Sequence, residues 1–264
     1  MKRANILVGV PCFGGNVQHR CVSSLISVLR AMDSAGMRHT LIFVSNESLI
    51  TRARNYFANV AAFDTDSAGR PYTHLLFIDA DLAFRDADVL AMVRADKPIV
   101  ALPYSRKGID WQQVAEAARR GIPAEQFALF AGKPAFNTEH AGVRLNEISA
   151  VRNAPTGCML IRTDVFKAMA EAHPERKYSA RLANSYAQTN DREWSYDFFR
   201  VGICPETKVY LSEDFQFCED ARAVGYKSFL VPWAETVHTG AYDYRMSLQA
   251  AASLQSGTVS NAAA

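Results

Sequence analysis

The sequence predicts an α/β layered fold on a largely parallel sheet, and two observations carry that prediction. Short unbroken apolar runs recur along the first part of the chain: "NILVGVP" at 5–11, "HTLIFVS" at 39–45, "THLLFIDADL" at 73–82 and "KPIVALPYS" at 97–105. Runs of this length without polar alternation suit strands covered on both faces, as parallel strands are. Each gap between the runs holds a segment of helical periodicity, which gives the crossover that parallel strands need.

After the first run, residues 14–36 place Val22, Leu25, Ile26 and Leu29 at helical spacing, so a helix buried on that face is expected. "ESLITRARNYFANVAAF" at 47–63 is the second helix, and "DADVLAMVRAD" at 86–96 is a third, opening in carboxylates that suit the positive end of a helix dipole. The rhythm is lost between 105 and 150, where "WQQVAEAARRG" has helical spacing and "HAGVRLNEISAVRNAP" resembles irregular β structure. "GCMLIRTDVFKAMAEA" at 157–172 restores a strand and a helix. Residues 174–211 mix Tyr178, Tyr186, Trp194, Tyr196, Phe198 and Phe199 with polar residues at no consistent period, which marks a long lid or binding loop. "SEDFQFCEDARAVGYKSFLVP" at 212–232 gives a helix entered through acids, stopped near Gly225, and a last strand. Residues 1–247 are thus expected to form one domain, and 248–264 a flexible tail with little to bury.

Bulk properties narrow the function. With 264 residues, 49% of them hydrophobic, the chain can bury a sizeable core. A net charge of +2 with acids and bases interleaved lacks the one-sided basic patch of a nucleic-acid binder, so no nucleic-acid partner is expected. Cys12, Cys21, Cys158, Cys204 and Cys218 show no C-x-x-C spacing, which argues against a zinc site or a disulfide framework and for a reducing, cytoplasmic setting. No run approaches the ~20 apolar residues of a membrane span, which leaves peripheral contact open.

In open α/β sheets ligands bind beyond the carboxyl ends of the strands. Pro11 to Gly15 follow the first predicted strand, Asn46 and Glu47 the second, and Asp79 and Asp81 the third. Alternation along an extended chain would point Asp79 and Asp81 the same way, and two ionised carboxylates side by side repel unless a cation neutralises them. A divalent ion is one explanation. The other is that one aspartate caps the next turn while its neighbour is solvated, and the D-x-D spacing alone does not choose. A dehalogenase-type phosphatase would want Ser or Thr where Ala83 stands, and G-x-G-x-x-G is absent, which removes the main signal for a nicotinamide or flavin.

Taken together, the blocks "ILVGVPCFGG", "FIDADL", "APTGCMLIRTDVF", "LSEDFQFCEDARAVGYKSFLVP" and "VHTG" resemble glycosyltransferases of the GT-A fold over roughly residues 5–240. That resemblance implies a Rossmann-like α/β/α sandwich, with a long acceptor-side loop. It implies a reaction that moves a sugar from a nucleotide diphosphate donor, uridine or guanosine, to an acceptor hydroxyl with manganese or magnesium. It places Pro11, Cys12, Phe13, Asn46, Glu47, Arg52, Asn55, Asp79, Ala80, Asp81 and Gly157 at the donor, and Asp79, Asp81 and His238 on the metal. An imidazole in that shell would tilt it toward manganese. Asp214, beside Glu213, becomes the candidate general base, although both could simply cap a helix. Trp111, Trp194 and Tyr196 are candidate stacking surfaces for an acceptor sugar, or else core anchors. One position departs from the large inverting family, which carries Arg where this chain has Asp220, so inversion or retention stays open. Two alternatives accompany the reading: a non-catalytic sugar-nucleotide or glycan-binding module on the same fold, and a sugar nucleotidyltransferase.

Overall fold

The computed structural model describes residues 4–138, 142–179, 193–240 and 244–256. In chain order the strands and helices are β1 (Asn5–Cys12), α1 (His19–Ser34), β2 (Arg38–Ser45), α2 (Ile50–Phe63), β3 (His74–Ile78), β4 (Leu82–Ala83), α3 (Asp86–Ala95), β5 (Ile99–Ala101), β6 (Ser105–Ile109), α4 (Trp111–Arg119), β7 (Gly132–Pro134), β8 (Ser149–Val151), β9 (Cys158–Arg162) and α5 (Thr163–Ala172). There follow β10 (Lys177–Ser179), β11 (Trp194–Tyr196), β12 (Gly202–Ile203), β13 (Tyr210–Leu211), α6 (Glu213–Ala223), β14 (Ser228–Leu230), β15 (Glu235–His238), β16 (Tyr244–Ser247) and α7 (Leu248–Ser256).

Seven strands form the central sheet in the order β2-β1-β3-β9-β5-β14-β8. The period-2 alternation of each strand sends residues to two cores. Leu7, Leu75, Phe77, Met159 and Ile161 meet α2, α5 and α6 on one face. Ile6, Val8, Leu76, Ile78 and Leu160 meet α1 and α3 on the other. Gly9 is required by this packing, because a Cβ there would lie 2.7 Å from Phe57 Cγ. A second, three-stranded sheet, β16-β15-β4, stands at the end of β3.

The sheet is less uniformly parallel than its sequence suggests. β1 pairs parallel with β2 and β3, and β5 with β14, but β9 runs antiparallel between β3 and β5, and β8 is antiparallel at the edge. β9 is reversed because the chain, after leaving at the end of β5 and passing along the edge as β8, returns to the interior of the sheet at the rim it left, where Leu102 N–H donates to the Cys158 carbonyl at 2.9 Å.

Local differences follow from the same packing. The buried face of α1 is Cys21, Leu25, Val28 and Met32, a complete i, i+4, i+7, i+11 stripe, while Val22 and Ile26 point outward. Residues 248–256, expected as part of a loose tail, form α7, since Leu248 is buried and Ala250 packs beside Ala117, Ile122 and Phe130. Within the 174–211 segment the described residues include the antiparallel pairs β10–β11 and β12–β13, and Tyr186 falls outside the described residues. Among the described residues all five cysteines are free and buried, and no helix is long and apolar enough to cross a membrane.

Candidate functional site

The strand end that carries the D-x-D is a turn, and this changes the geometry expected for it. β3 stops at Ile78; Asp79 N–H donates to the Gly157 carbonyl at 2.8 Å, and Leu82 N–H closes back on the Asp79 carbonyl at 3.1 Å. The strict alternation that would aim both carboxylates one way therefore does not apply, and the two aspartates meet different cations. Asp79 accepts from Arg54 Nη2 at 3.1 Å. Asp81 accepts from Lys107 Nζ and lies 3.4 Å from His238 Nε2.

His238 reaches Asp81 for a backbone reason. β15 pairs antiparallel with β4, setting His238 opposite Leu82, and Thr239 N–H donates to the Asp81 carbonyl at 2.8 Å. The imidazole Nδ1 is 2.8 Å from the Ser105 carbonyl, so it carries a proton and donates. In the neutral ring that leaves the Nε2 lone pair aimed at a carboxylate oxygen, an arrangement that calls for a cation between or a proton on the ring. Burial pushes the Asp81 carboxyl up, but His238 and then Lys107 outweigh it and hold the group below the ordinary aspartate range.

On the other side of the turn, Arg54 projects from α2, with its Nε–H donating to Glu213 Oε1 at 3.0 Å. Burial opposes its charge, but Asp79, Glu213 and Asp214 keep it protonated. Asp214 in the first turn of α6 accepts from the Ser212 hydroxyl and from Phe215 N–H at 2.8 Å. Burial, then the Glu213 carboxylate, pushes the Asp214 carboxyl up from its usual value. Tyr104, just beyond β5, stands between these groups. Its ring is edge-on to His238 at 5.1 Å, and burial followed by Asp79 and Asp214 raises its phenol well above normal. Gly157 makes room for that ring, since a Cβ there would lie 2.5 Å from Tyr104 Cε1. Beneath the turn the Cys21 thiol donates to the Asp79 carbonyl at 3.5 Å and is pushed up to about 12 by burial, so it stays protonated.

Four carboxylates, Asp79, Asp81, Glu213 and Asp214, are thus gathered around two permanent cations, Arg54 and Lys107. The surplus negative charge suits a divalent ion. Among the described residues no three His, Cys, Asp or Glu side chains are grouped closely enough to hold a metal by themselves. The Asp81–His238 pair fits as a partial shell, which would need oxygen ligands from a diphosphate to complete it.

The other residues named from sequence divide into three groups. Pro11, Cys12, Phe13 and Glu47 do converge, with Val44, Ser48, Ile50 and Ala53, on a cavity of about 210 Å³ at the ends of β1 and β2. Glu47 accepts from both Arg52 Nε and Nη2 at 2.6 Å, so this carboxylate and guanidinium neutralise each other. Asn46 turns the chain there in a left-handed conformation, φ 60°, which asparagine tolerates. Ala80 sits at the centre of the D-x-D turn, where its carbonyl accepts from Gln18 N–H at 2.8 Å.

Asn55 lies outside that group. Its amide is buried, accepting from Phe198 and Phe199 N–H at 2.9 and 2.7 Å and donating to Asp197 at 2.6 Å. Trp194 and Tyr196 pack with Phe63 at the far end of α2, nine residues and about 13 Å along the helix from Arg54. Trp111 is exposed in a groove of about 670 Å³ along α4, lined also by Arg119, Arg120 and Ala251. That groove is larger than the cavity at the rim but contains none of the four clustered carboxylates, so charge rather than size locates the site.

Sequence reasoning passed over Tyr104 and Lys107. Both follow β5, and the rule that ligands gather beyond strand ends would have found them. Asp220 is buried and accepts from Arg176 Nη1, Arg200 Nε and Nη2 and Gln216 Nε2, so it anchors two flanking loops to α6.

No protein-family model matches the chain, and no curated protein matches it. Among solved structures, A197 from STIV is similar over 93% of this chain and 91% of its own length, at 11% identity and a TM-score of 0.48, a likeness too remote to speak to function.

Proposed function

We propose that this chain is a glycosyltransferase that takes its sugar from a nucleotide diphosphate donor with the help of manganese or magnesium. The observation that carries the reading is the excess of carboxylates over fixed cations at the rim of the sheet, with Asp81 and His238 directed at each other across 3.4 Å. A diphosphate brought to that corner on a divalent ion would find its counter-charge, and the apolar cavity behind Phe13 would take the base. The ion would supply charge stabilisation for the departing diphosphate. Asp214, with its carboxyl pushed up by burial and by Glu213, suits a general base. It would take the proton of the acceptor hydroxyl as that oxygen bonds to the anomeric carbon, while the bond from that carbon to the diphosphate oxygen breaks.

The test combines thermal shift and turnover. Manganese with a panel of uridine and guanosine diphosphate sugars should raise the melting temperature, since a ligand at a hundred times its Kd adds about 2.7 kcal/mol. Asp81→Ala should remove both the manganese-dependent shift and transfer while the protein stays folded. Full turnover in the presence of chelator would overturn the metal role. Binding of a nucleotide sugar without transfer to any acceptor or to water would favour a binding module.

A further inference from the structure

Arg54 is 3% exposed, yet it is a charged side chain with two masters. Its Nε serves Glu213 on α6 and its Nη2 serves Asp79 at the end of β3, while its own backbone belongs to α2. The guanidinium carbon lies over the Phe77 ring, 5.2 Å from its centroid, a cation–π contact. Nη1 is buried without a hydrogen-bond partner, so the side chain is placed for its two carboxylates at the expense of its third nitrogen. A solvated helix face explains none of this. Lysine could not replace it, because a single ammonium cannot span both acids as a planar fork does.

We infer that Arg54 is the positioning residue of the site: an internal counter-charge that ties Asp79 to Glu213, fixes the spacing between the D-x-D turn and the helix bearing Asp214, and leaves only Asp81 and His238 for an incoming cation. The kinetic consequence rests on the sugar-transfer reading; the linkage itself does not. Two arms separate them. In the first, urea unfolding of wild type, Arg54→Met, Asp79→Asn and the double variant gives a coupling free energy, and a parallel cycle uses Glu213→Gln. Each cycle should show coupling of at least about tenfold in the folding equilibrium, or ~1.4 kcal/mol. Manganese titration followed by electron paramagnetic resonance should show Arg54→Met binding the ion about tenfold more tightly, because Asp79 is released to it.

In the second arm, Arg54→Lys should keep the donor KM within about threefold while kcat falls about a hundredfold, a split that loss of packing alone would not give. If Arg54→Met does not fold, Arg54→Lys carries the same cycles. Additive cycles, or unchanged manganese affinity, would overturn the inference. Absence of turnover in wild type with every donor would remove the sugar-transfer reading while leaving the unfolding and resonance results to decide the linkage.

Discussion

Asn55 separates a ligand-contacting residue from a structural one, and the structure sets the size of the effect. Its Oδ1 accepts from two backbone N–H groups, those of Phe198 and Phe199, and its Nδ2 donates to Asp197. Phe198 packs on Phe166 at 5.1 Å and Phe199 on Phe217 at 4.4 Å, so the two backbone donors are deep in the core and cannot turn to water. Asn55→Ala leaves both unsatisfied, at about 1–3 kcal/mol each. The loss should come to about 3–5 kcal/mol, a large share of the 5–15 kcal/mol typical of a folded protein. That corresponds to a fall in Tm of about 6–20 °C for a chain of this size. Asn55→Asp is the control. It keeps an acceptor for both N–H groups but places a second carboxylate against Asp197, so it should recover part of the stability, and more of it at acid pH. Equilibrium urea unfolding measures both variants. A loss below about 1 kcal/mol for Asn55→Ala would refute the pinning role.

Two further predictions concern the rim. Because burial and Glu213 raise the Asp214 carboxyl in the folded protein, the ionised form costs stability above its folded pKa, and the cost disappears below the unfolded value. Asp214→Asn should therefore be at least as stable as wild type at pH 7–8 and converge with it under acid conditions, as differential scanning calorimetry would show, while transfer falls by about 10²–10⁴-fold. The wild-type rate should fall on acidification at a pH above the ordinary aspartate range; an acid limb at or below that range would remove Asp214 as base. Gly157→Ala should cost about 1–3 kcal/mol as its Cβ drives the Tyr104 ring from its seat, and should weaken any manganese-dependent thermal shift because that ring packs on His238. A variant with wild-type Tm and an unaltered shift would show that the ring is free to move.

The sheet was legible wherever period and length agreed. β1, β2 and β3 follow from continuous apolar runs, and α2, α3, α5 and α6 from helical spacing between them. The face of α1 was misjudged because Val22 and Ile26 are more apolar by type than Cys21, although only the latter continues the stripe to Val28 and Met32. Direction was not legible for β9: its residues are those of any buried strand, and antiparallel insertion is decided by where the preceding segment brings the chain back. Long-range pairing was reached only in part. His238 was matched to the D-x-D through family resemblance, and the structure does bring it beside Asp81. Nothing local announces that Arg54 spans Asp79 and Glu213, since those contacts join residues 25 and 159 positions apart.

The reversal of β9 has a consequence for how such a chain can diversify. The chain departs from the sheet at Leu102, touches its edge as β8 and comes back to its interior at Cys158, and one hydrogen bond holds the exit to that return. Residues 106–148 lie outside the seven-stranded sheet and form an excursion with a clasped neck, so their length and content can be exchanged without shifting the register of any strand of that sheet. Lys107 and the α4 side of its groove ride on that detachable piece, whereas Gly157, Arg54, the D-x-D and α6 belong to the frame. Chimeras that swap residues 106–148 should fold on an unaltered frame and differ mainly in what they accept at the rim.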